Sequence, residues 1–334
     1  MPVTESAPTV SILIAARNEA STIANCLRAI SQLNKPANTF EVLIGNDQST
    51  DLTADIVASF IADRANYQLI PIQEAVAGLR GKANVLAQLA QQARGQYLFF
   101  TDADTQVPPT WLTAMLQPGS PHVGIVTGVT LPEGPRLFHN LQTVDWLYNL
   151  TLTALLGHVG IPVTAMGNNM AVNRVAYDAV GGYESLPFSI TEDYTLFRAI
   201  VSNGFAWQTL LDERVLARTK PVDTLRAFLH QRKRWMRGAS ELPCWLVTLL
   251  YAQHLAGPLL LLLGWFMPAL AVGMYITRLM VQATVLSFGM SRLRQTRLWP
   301  YALLFELYQL LTGPLSVLFY WWPTRVEWKG RRFD

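Results

Sequence analysis

The chain has 334 residues, 51% of them hydrophobic, and a formal net charge of +3. That length allows one large domain or two ordinary ones. Two cysteines, Cys26 and Cys244, exclude a disulfide framework and a cysteine-based metal site, and point to a reducing compartment. The apolar excess is uneven, since Arg278 is the single charged side chain between residues 243 and 290. Met1 to Thr9 is polar and lacks the apolar core of a signal peptide, so the soluble part is expected in the cytosol.

Val10 to Ala15 reads as a short buried strand, followed by Arg17-Asn18-Glu19 and a helix from Ser21 to about Gln32 with Ile23, Cys26, Leu27 and Ile30 on one face. A second strand, Phe40 to Ile44, runs into Gly45-Asn46-Asp47-Gln48-Ser49-Thr50-Asp51 and a helix to Arg64. A third, Tyr67 to Ile72, leads through Gly78-Leu79-Arg80-Gly81-Lys82 into a helix that ends near Arg94-Gly95. Tyr97 to Phe100 is apolar and aromatic, as a strand buried on both faces should be. It ends in Asp102 and Asp104. Carboxylates at alternate positions of an extended segment point the same way and reach one cation, and hard oxygen ligands suit Mg²⁺ or Mn²⁺. Strands alternating with helices predict an α/β fold with a largely parallel sheet, whose ligands sit beyond the carboxyl ends of the strands. Arg17, Asp47 and Asp102 all fall there.

Further on, Val123 to Val129 is expected as a strand and Pro135 to Gly157 as a long helix carrying Trp146 and Tyr148. Met166 to Met170 reads as a tight polar loop, and a helix beginning near Arg174 is broken at Gly181-Gly182. Thr191-Glu192-Asp193 opens another helix, and simple N-capping competes with a functional role there.

The stretch Asp223 to Gly238 predicts a helix with Leu225, Phe228, Leu229, Trp235 and Met236 on one side and the cations Arg226, Arg232, Lys233, Arg234 and Arg237. Such a helix suits an anionic membrane surface, or a phosphate. Pro243 to Met290 is long enough for two membrane spans with a turn at Gly264 to Pro268. The basic link Arg292, Arg294, Arg297 would be cytosolic. Tyr301 to Trp322 is a third apolar segment, interrupted by Gly313-Pro314 and carrying Glu306; a full third span would put the basic tail, including Lys329, outside, which favours an in-plane or re-entrant segment. If the chain returns to the cytosol near Arg292, Arg278 lies about 18 Å deep, and Glu306, some five residues into the third segment, about 8 Å if that segment enters steeply. Long side chains span much of that difference, so a pair with Glu306 stays open, and Arg278 reaching headgroups or lining the acceptor's entrance is the favoured reading.

Taken together, residues 9 to 238 resemble glycosyltransferase family 2, the inverting nucleotide-sugar enzymes with a GT-A fold. Asn46-Asp47-Gln48-Ser49-Thr50-Asp51 resembles that family's first acidic motif, usually D-D-G-S-T-D, with Asn and Gln replacing Asp and Gly. Asp102-Ala103-Asp104 resembles its D-x-D, Thr191-Glu192-Asp193 its T-E-D, and Gln231 to Trp235 its Q-x-x-R-W. The resemblance implies a GT-A domain with a mixed, mostly parallel sheet over residues 1–222, an amphipathic interfacial helix over 223–242, and a membrane region over 243–334. It implies that Asp47 binds the base of a nucleotide sugar, with uracil expected, and that Ala15 and Arg17 to Glu19 line that pocket. Lys82 would sit near the base or diphosphate, Asp102 on the nucleotide, and Asp104 on a Mg²⁺ or Mn²⁺ ion that Asp102 also approaches. Asp193, beside Glu192, would be the general base. Gln231 and Arg234 would clasp the diphosphate, Trp235 would cap the acceptor site, and Met166 to Asn169 would line the sugar and acceptor cavity.

The expected function is transfer of a sugar, from UDP most readily, to the hydroxyl of a lipid, by a multi-pass protein of the inner membrane with its catalytic part in the cytosol. Ceramide- and carotenoid-type lipid glucosyltransferases are the nearest resemblance, because processive synthases normally carry spans before the catalytic domain and Met1 to Thr9 leaves no room for them. The alternatives are a polysaccharide synthase working with a partner pore and an inactive scaffold that binds nucleotide sugar or lipid. The partners implied are the donor, the lipid acceptor and an anionic membrane surface, with no nucleic acid.

Overall fold

Alternate residues of the first strand serve two cores. Ile12 and Ile14 pack on one face with Ile23, Leu27, Phe99 and Trp111, while Leu13 packs on the other with Leu43, Leu86, Leu89 and Phe100. Burial on both faces is why these strands are continuous apolar runs rather than alternating ones. The computed structural model describes residues 9–35, 39–117, 122–328 and 331–333; the polar start at 1–8 and Lys329 lie outside them.

In chain order come β1 (Val10–Ala16), α1 (Ile23–Ser31), β2 (Phe40–Asn46), α2 (Thr53–Ile61), β3 (Tyr67–Pro71), α3 (Gly81–Gln92) and β4 (Tyr97–Asp102). Next are α4 (Trp111–Leu116), β5 (Val123–Thr127), β6 (Thr130–Pro132), α5 (Leu137–His158), β7 (Asn169–Asn173), α6 (Arg174–Ala179), α7 (Glu192–Ser202), β8 (Ala206–Thr209) and β9 (Ala217–Thr219). Helices follow: α8 (Leu225–Ala239), α9 (Cys244–His254), α10 (Ala256–Phe266), α11 (Pro268–Arg292), α12 (Trp299–Ala302) and α13 (Phe305–Trp321). The described parts of Met1–Thr130 and Leu156–Thr219 form one compact unit; Leu131–Leu155 and the described parts of Lys220–Asp334 form a second.

Among the described residues of the first unit, seven strands make one sheet in the order β3-β2-β1-β4-β7-β5-β8. All pairings are parallel except those of β7 with β4 and β5, so the sheet is mixed and mostly parallel, as expected. β7 departs from the tight loop expected over Met166 to Met170, because Asn169 already begins a strand. Five residues bounded by asparagines carry little strand signal, yet Met170 and Val172 are fully buried beside β4. Gly45 in β2 marks where α3 packs closely, since a Cβ there would lie 2.3 Å from Val85 Cγ1.

In the second unit the first half of the apolar stretch after Pro243 is a bent pair of helices. Only α11 among the described residues is long and apolar enough to cross a membrane alone; counting each bent pair as one span gives up to three. The pair α9 and α10 bends by 74°. Pro258 supplies the reason, because it lacks an N–H and its ring collides with the carbonyl four residues back, at His254. The turn near Gly264 to Pro268 forms as expected, with α11 starting at Pro268. Gly313-Pro314 does not interrupt α13, which runs through both. Gly313 instead permits close packing, as a Cβ there would meet the His254 carbonyl oxygen at 2.5 Å. The break lies earlier, as a 65° bend between 296–302 and 305–321.

Two further expectations are corrected in this unit. Arg278 does not reach outward: its Nε donates to Glu306 at 3.1 Å, and its Nη2 to Gln309 Oε1 at 2.8 Å. The third segment does not enter steeply at Tyr301: it bends by 65° before α13, and Glu306 lies within reach of Arg278. On α8, Arg232 and Lys233 are not surface cations. Arg232 pairs with Asp145, and the Lys233 ammonium is 3% exposed as a residue and donates to Trp322 O at 2.6 Å and Thr324 Oγ1 at 3.0 Å.

Candidate active site

Parallel strands β2, β1 and β4 end level with one another, Ala15 standing opposite both Gly45 and Asp102. The residues just beyond these ends therefore share one edge, where a parallel α/β sheet opens its crevice. Arg17 Nη1 donates to the Asp47 carbonyl oxygen at 2.6 Å and lies 3.8 Å from its carboxylate. Asp47 N donates to Ala16 O at 2.9 Å, and the Asp47 side chain is largely buried. Arg17 Nε is buried without a hydrogen-bond partner among the described residues. Ala15 lies in β1 between these strands, so Ala15, Arg17 and Asp47 share one end of the sheet.

Glu19 does something more local. It is buried, its Oε2 accepts from Thr22 Oγ1 at 2.7 Å, and its backbone N–H donates to Thr53 Oγ1 at 2.8 Å, which ties the loop after β1 to the start of α2. The loops after β1 and β2 interlock further: Asn18 Oδ1 accepts from Thr50 N at 2.9 Å, and Asp51 accepts from Ala20 N at 3.0 Å and Thr53 N at 3.0 Å. The hydrogen bond from Thr53 and those backbone donors hold the Asp51 carboxyl below its ordinary pKa. Gln48 explains the glycine usual at its place in the motif. Its φ is +52°, the left-handed region that glycine enters without penalty. Here the Gln48 amide donates to Gln73 O at 3.1 Å.

The D-x-D segment differs in geometry from the expectation. Asp102 is the last residue of β4, and Thr105 N donates to Asp102 O at 3.0 Å, so Ala103 and Asp104 lie in a turn rather than an extended strand. The alternation argument for a shared direction does not apply. Ala103 is fully buried, and Asp104 Oδ1 accepts from Thr105 Oγ1 at 3.3 Å. The Cys26 thiol beneath, buried and close to Asp104 and Asp102, has its pKa pushed well up, which keeps it a neutral, inert core group.

Lys82, in the first turn of α3, joins two of the motifs. Its Nζ lies 2.7 Å from Asp102 Oδ1 and 3.0 Å from Glu192 Oε1, and donates to Gly167 O at 3.3 Å. Burial works against the Lys82 ammonium, but the carboxylates of Asp102, Glu192 and Asp193 outweigh it and hold its pKa above the ordinary lysine value. Burial raises the Glu192 pKa, against the pull of Lys82, and repulsion from Asp193 adds to the rise. Asp193 follows in the same first turn of α7. Its Oδ2 accepts from Gly167 N at 2.8 Å, and its Oδ1 from Tyr194 N at 2.8 Å. Gly167 is required there, because a Cβ would sit 2.7 Å from the carboxylate. The capping explanation of this triplet weakens, since Thr191 occupies the N-cap but its side chain makes no capping hydrogen bond. Gly167 as the donor to Asp193 was not legible in the sequence beyond its place in the 166–169 loop.

Asp102 keeps a third of its side-chain surface exposed, and one of its oxygens is held by Lys82. Together with Asp104 it presents hard oxygen donors, the chemistry of a Mg²⁺ or Mn²⁺ site that substrate phosphates and waters complete. No group of three or more His, Cys, Asp or Glu side chains placed to hold a metal occurs among the described residues.

Gln231, Arg234 and Trp235 belong to α8 of the second unit, all three half-buried. Gln231 Oε1 is buried without a partner among the described residues. The Trp235 ring meets the ring of Trp146 edge-on, with centroids 4.9 Å apart.

The family model for glycosyl transferase family 21 matches residues 2–334. Among curated proteins the chain is similar to a beta-monoglucosyldiacylglycerol synthase of Synechocystis sp., 28% identical over 241 residues, covering 70% of this chain and 48% of the relative. It is also similar to a poly-beta-1,6-N-acetyl-D-glucosamine synthase of Staphylococcus epidermidis, 25% identical over 241 residues, covering 70% of this chain and 55% of the relative. The chain thus spans about half the length of the curated relatives it matches. Among solved structures, the mannosyltransferase PcManGT of Pyrobaculum calidifontis, in complex with GDP-Man and Mn²⁺, superposes with a TM-score of 0.58 at 19% identity, over 95% of this chain and 88% of that one. That likeness is one of fold, and the GT-A-like architecture stands. The matching family model carries the number 21, and the recognition of a glycosyltransferase related to glycolipid-forming enzymes holds. From a family match over nearly its whole length, on a GT-A-like fold in which Asp102 and Glu192 meet at Lys82, the chain belongs to glycosyl transferase family 21.

Proposed function

We propose that this chain is a membrane-bound, inverting glycosyltransferase that moves a sugar from a nucleotide sugar to the hydroxyl of a lipid. The observation that carries the reading is the convergence of Lys82, Asp102, Glu192 and Asp193 at the carboxyl edge of the sheet. Ala15, Arg17 and Asp47 would take the base, and a UDP-sugar is the donor we favour. Glu192 is committed to Lys82, so the proton of the acceptor hydroxyl falls to Asp193, whose orientation the Gly167 N–H fixes. A positioned base of this kind contributes about 10²- to 10⁴-fold. Lys82 holds Asp102 and Glu192 in register across two elements, and Glu192 acts through it. A Mg²⁺ or Mn²⁺ ion, held by Asp104 and Asp102, would neutralise the leaving diphosphate. Asp102, Glu192 and Asp193 act on one ammonium, an excess of negative charge that favours a cation. Gln231 and Arg234 are proposed to bind the diphosphate and Trp235 to border the acceptor. In this reading residues 1–222 carry the catalysis on the cytosolic side, 223–242 lie at the interface, and 243–334 make a multi-pass membrane region of an inner membrane. Any attraction of α8 to anionic lipid comes without Arg232 and Lys233.

The lipid acceptor is supported by the glucosyldiacylglycerol synthases among the relatives. The poly-N-acetylglucosamine synthases favour a second reading, a polymer-forming subunit with a partner pore. Membranes containing the full chain, given a panel of labelled nucleotide sugars, separate the two by mass spectrometry of the products. One sugar added to a lipid supports the proposal; a polymer, or hydrolysis alone, refutes it.

A further inference from the structure

The motif reading of α8 uses Gln231, Arg234 and Trp235 and leaves Arg232 without a role. Yet Arg232 is among the most enclosed cations of the second unit. Its guanidinium carbon stands 4.6 Å from the centre of the Trp235 ring and 4.7 Å from that of Phe228, three residues ahead and four behind on one helix face. Its Nη2 pairs with Asp145 Oδ2, and the two side chains are 12% and 11% exposed. Asp145 is itself fixed from one turn on, its Oδ1 accepting from Asn149 Nδ2 at 3.1 Å. The next residue of α5, Trp146, sets its ring at 70° to that of Trp235. Trp235 is thus held by a cation at its face and by an indole in edge contact, and both holds originate in the dipeptide Asp145-Trp146.

A planar guanidinium stacks on two rings and pairs with a carboxylate at once, which an ammonium on a flexible stem does not. An enclosed cation over a ring is also held more firmly than an exposed one.

We propose that Asp145, Arg232 and Trp146 are positioning residues for the acceptor, acting through Trp235 to set the wall against which the acceptor's hydroxyl-bearing end is presented. This rests on the reading of Trp235 as bordering the acceptor. The device fixes one orientation of the Trp235 ring before the acceptor arrives, so its contribution falls on acceptor binding and leaves donor handling alone.

The test uses the full chain in phosphatidylcholine vesicles with labelled UDP-glucose and 1,2-dioleoylglycerol as probe acceptor. Apparent KM values are measured for each substrate in wild type, Trp235→Ala, Asp145→Asn, Arg232→Lys and Trp146→Phe, normalised to folded protein. We expect Trp235→Ala, Asp145→Asn and Arg232→Lys each to raise the acceptor KM about tenfold or more, Trp146→Phe to raise it less, and the donor KM to stay within about twofold. Arg232→Lys keeps the charge, so it decides the matter if Asp145→Asn fails to fold. An acceptor KM raised by Trp235→Ala but unchanged in Asp145→Asn and Arg232→Lys overturns the positioning role and leaves the reading of Trp235 intact. An unchanged acceptor KM in Trp235→Ala overturns both. Equal changes in donor and acceptor KM, or lower yield with unchanged KM values, overturn the inference in favour of a purely structural pair.

Discussion

Arg278 Nε lies 3.1 Å from one carboxylate oxygen of Glu306 and 3.3 Å from the other, which makes an ion pair between two helices of apolar composition. Gln309 Oε1 accepts from both Arg278 Nη2 and Gln282 Nε2, so the pair sits in a polar network joining α11 to α13. A charge in such surroundings is tolerated when it is paired and hydrogen-bonded. Losing one partner of a buried pair costs about 3–5 kcal/mol. Arg278→Glu and Glu306→Arg are each expected to lower the yield of folded protein, and the exchange of both to restore much of it. A double mutant no better than the singles would count against the pair.

Asp193→Asn keeps the shape and the hydrogen bond from Gly167 but cannot take a proton. Transfer is expected to fall by about 10²- to 10⁴-fold with donor binding near normal, read by product formation and by calorimetric titration with the nucleotide sugar. Wild-type transfer in this variant would move the base elsewhere.

Asp104→Ala should make donor binding insensitive to added Mn²⁺ and to chelator, whereas the wild type should weaken on chelation. Titrations of donor with and without metal check this. A wild type indifferent to chelator removes the cation from the proposal.

The Lys82–Glu192 pair carries a pH signature. Burial raises the Glu192 pKa, and Lys82 restrains the rise. A carboxyl group with a raised folded-state pKa holds its proton after the unfolded chain has lost it, so stability falls as pH rises from about 4.3 to the folded value. Lys82→Met removes the restraint and extends that window upward. Melting temperatures at pH 5, 6, 7 and 8 should therefore diverge, with the variant losing more as pH rises, and Lys82→Met with Glu192→Gln should flatten the difference. Parallel curves would mean that Lys82 does not govern Glu192. The raised Lys82 pKa itself contributes stability that is fully present below about 10.4 and is lost only at more alkaline pH.

Lys233 caps the end of α13, donating to the carbonyls of Phe319 and Trp322 and to Thr324. A cation at a helix C-terminus also meets the negative end of its dipole. Lys233→Met should lower stability by about 1.5–3 kcal/mol, the range for a hydrogen bond to a charged group. Flotation of the full chain with anionic vesicles should be unchanged. Weaker flotation at unchanged melting temperature would restore Lys233 to the membrane surface.

Local pattern alone was enough for much of this protein. The doubly buried strands showed as apolar runs because both faces of a parallel sheet are covered, and Asp47, Asp102 and Asp193 stood out because each follows a recognisable strand end or opens a helix. The turn at Pro268 and the length of α11 were likewise written in local composition. What local pattern could not supply were contacts between residues distant along the chain. Nothing near Lys82 in sequence says that its ammonium bridges Asp102 and Glu192, nothing near Gly167 says that its N–H holds Asp193, and β7 is too short to register except through its neighbours in the sheet. Five cations on α8 look alike as a string, but packing takes Arg232 to Asp145 and Lys233 to the end of α13. Charge and periodicity are properties of a segment, whereas the partner that satisfies a buried charge is chosen by tertiary packing.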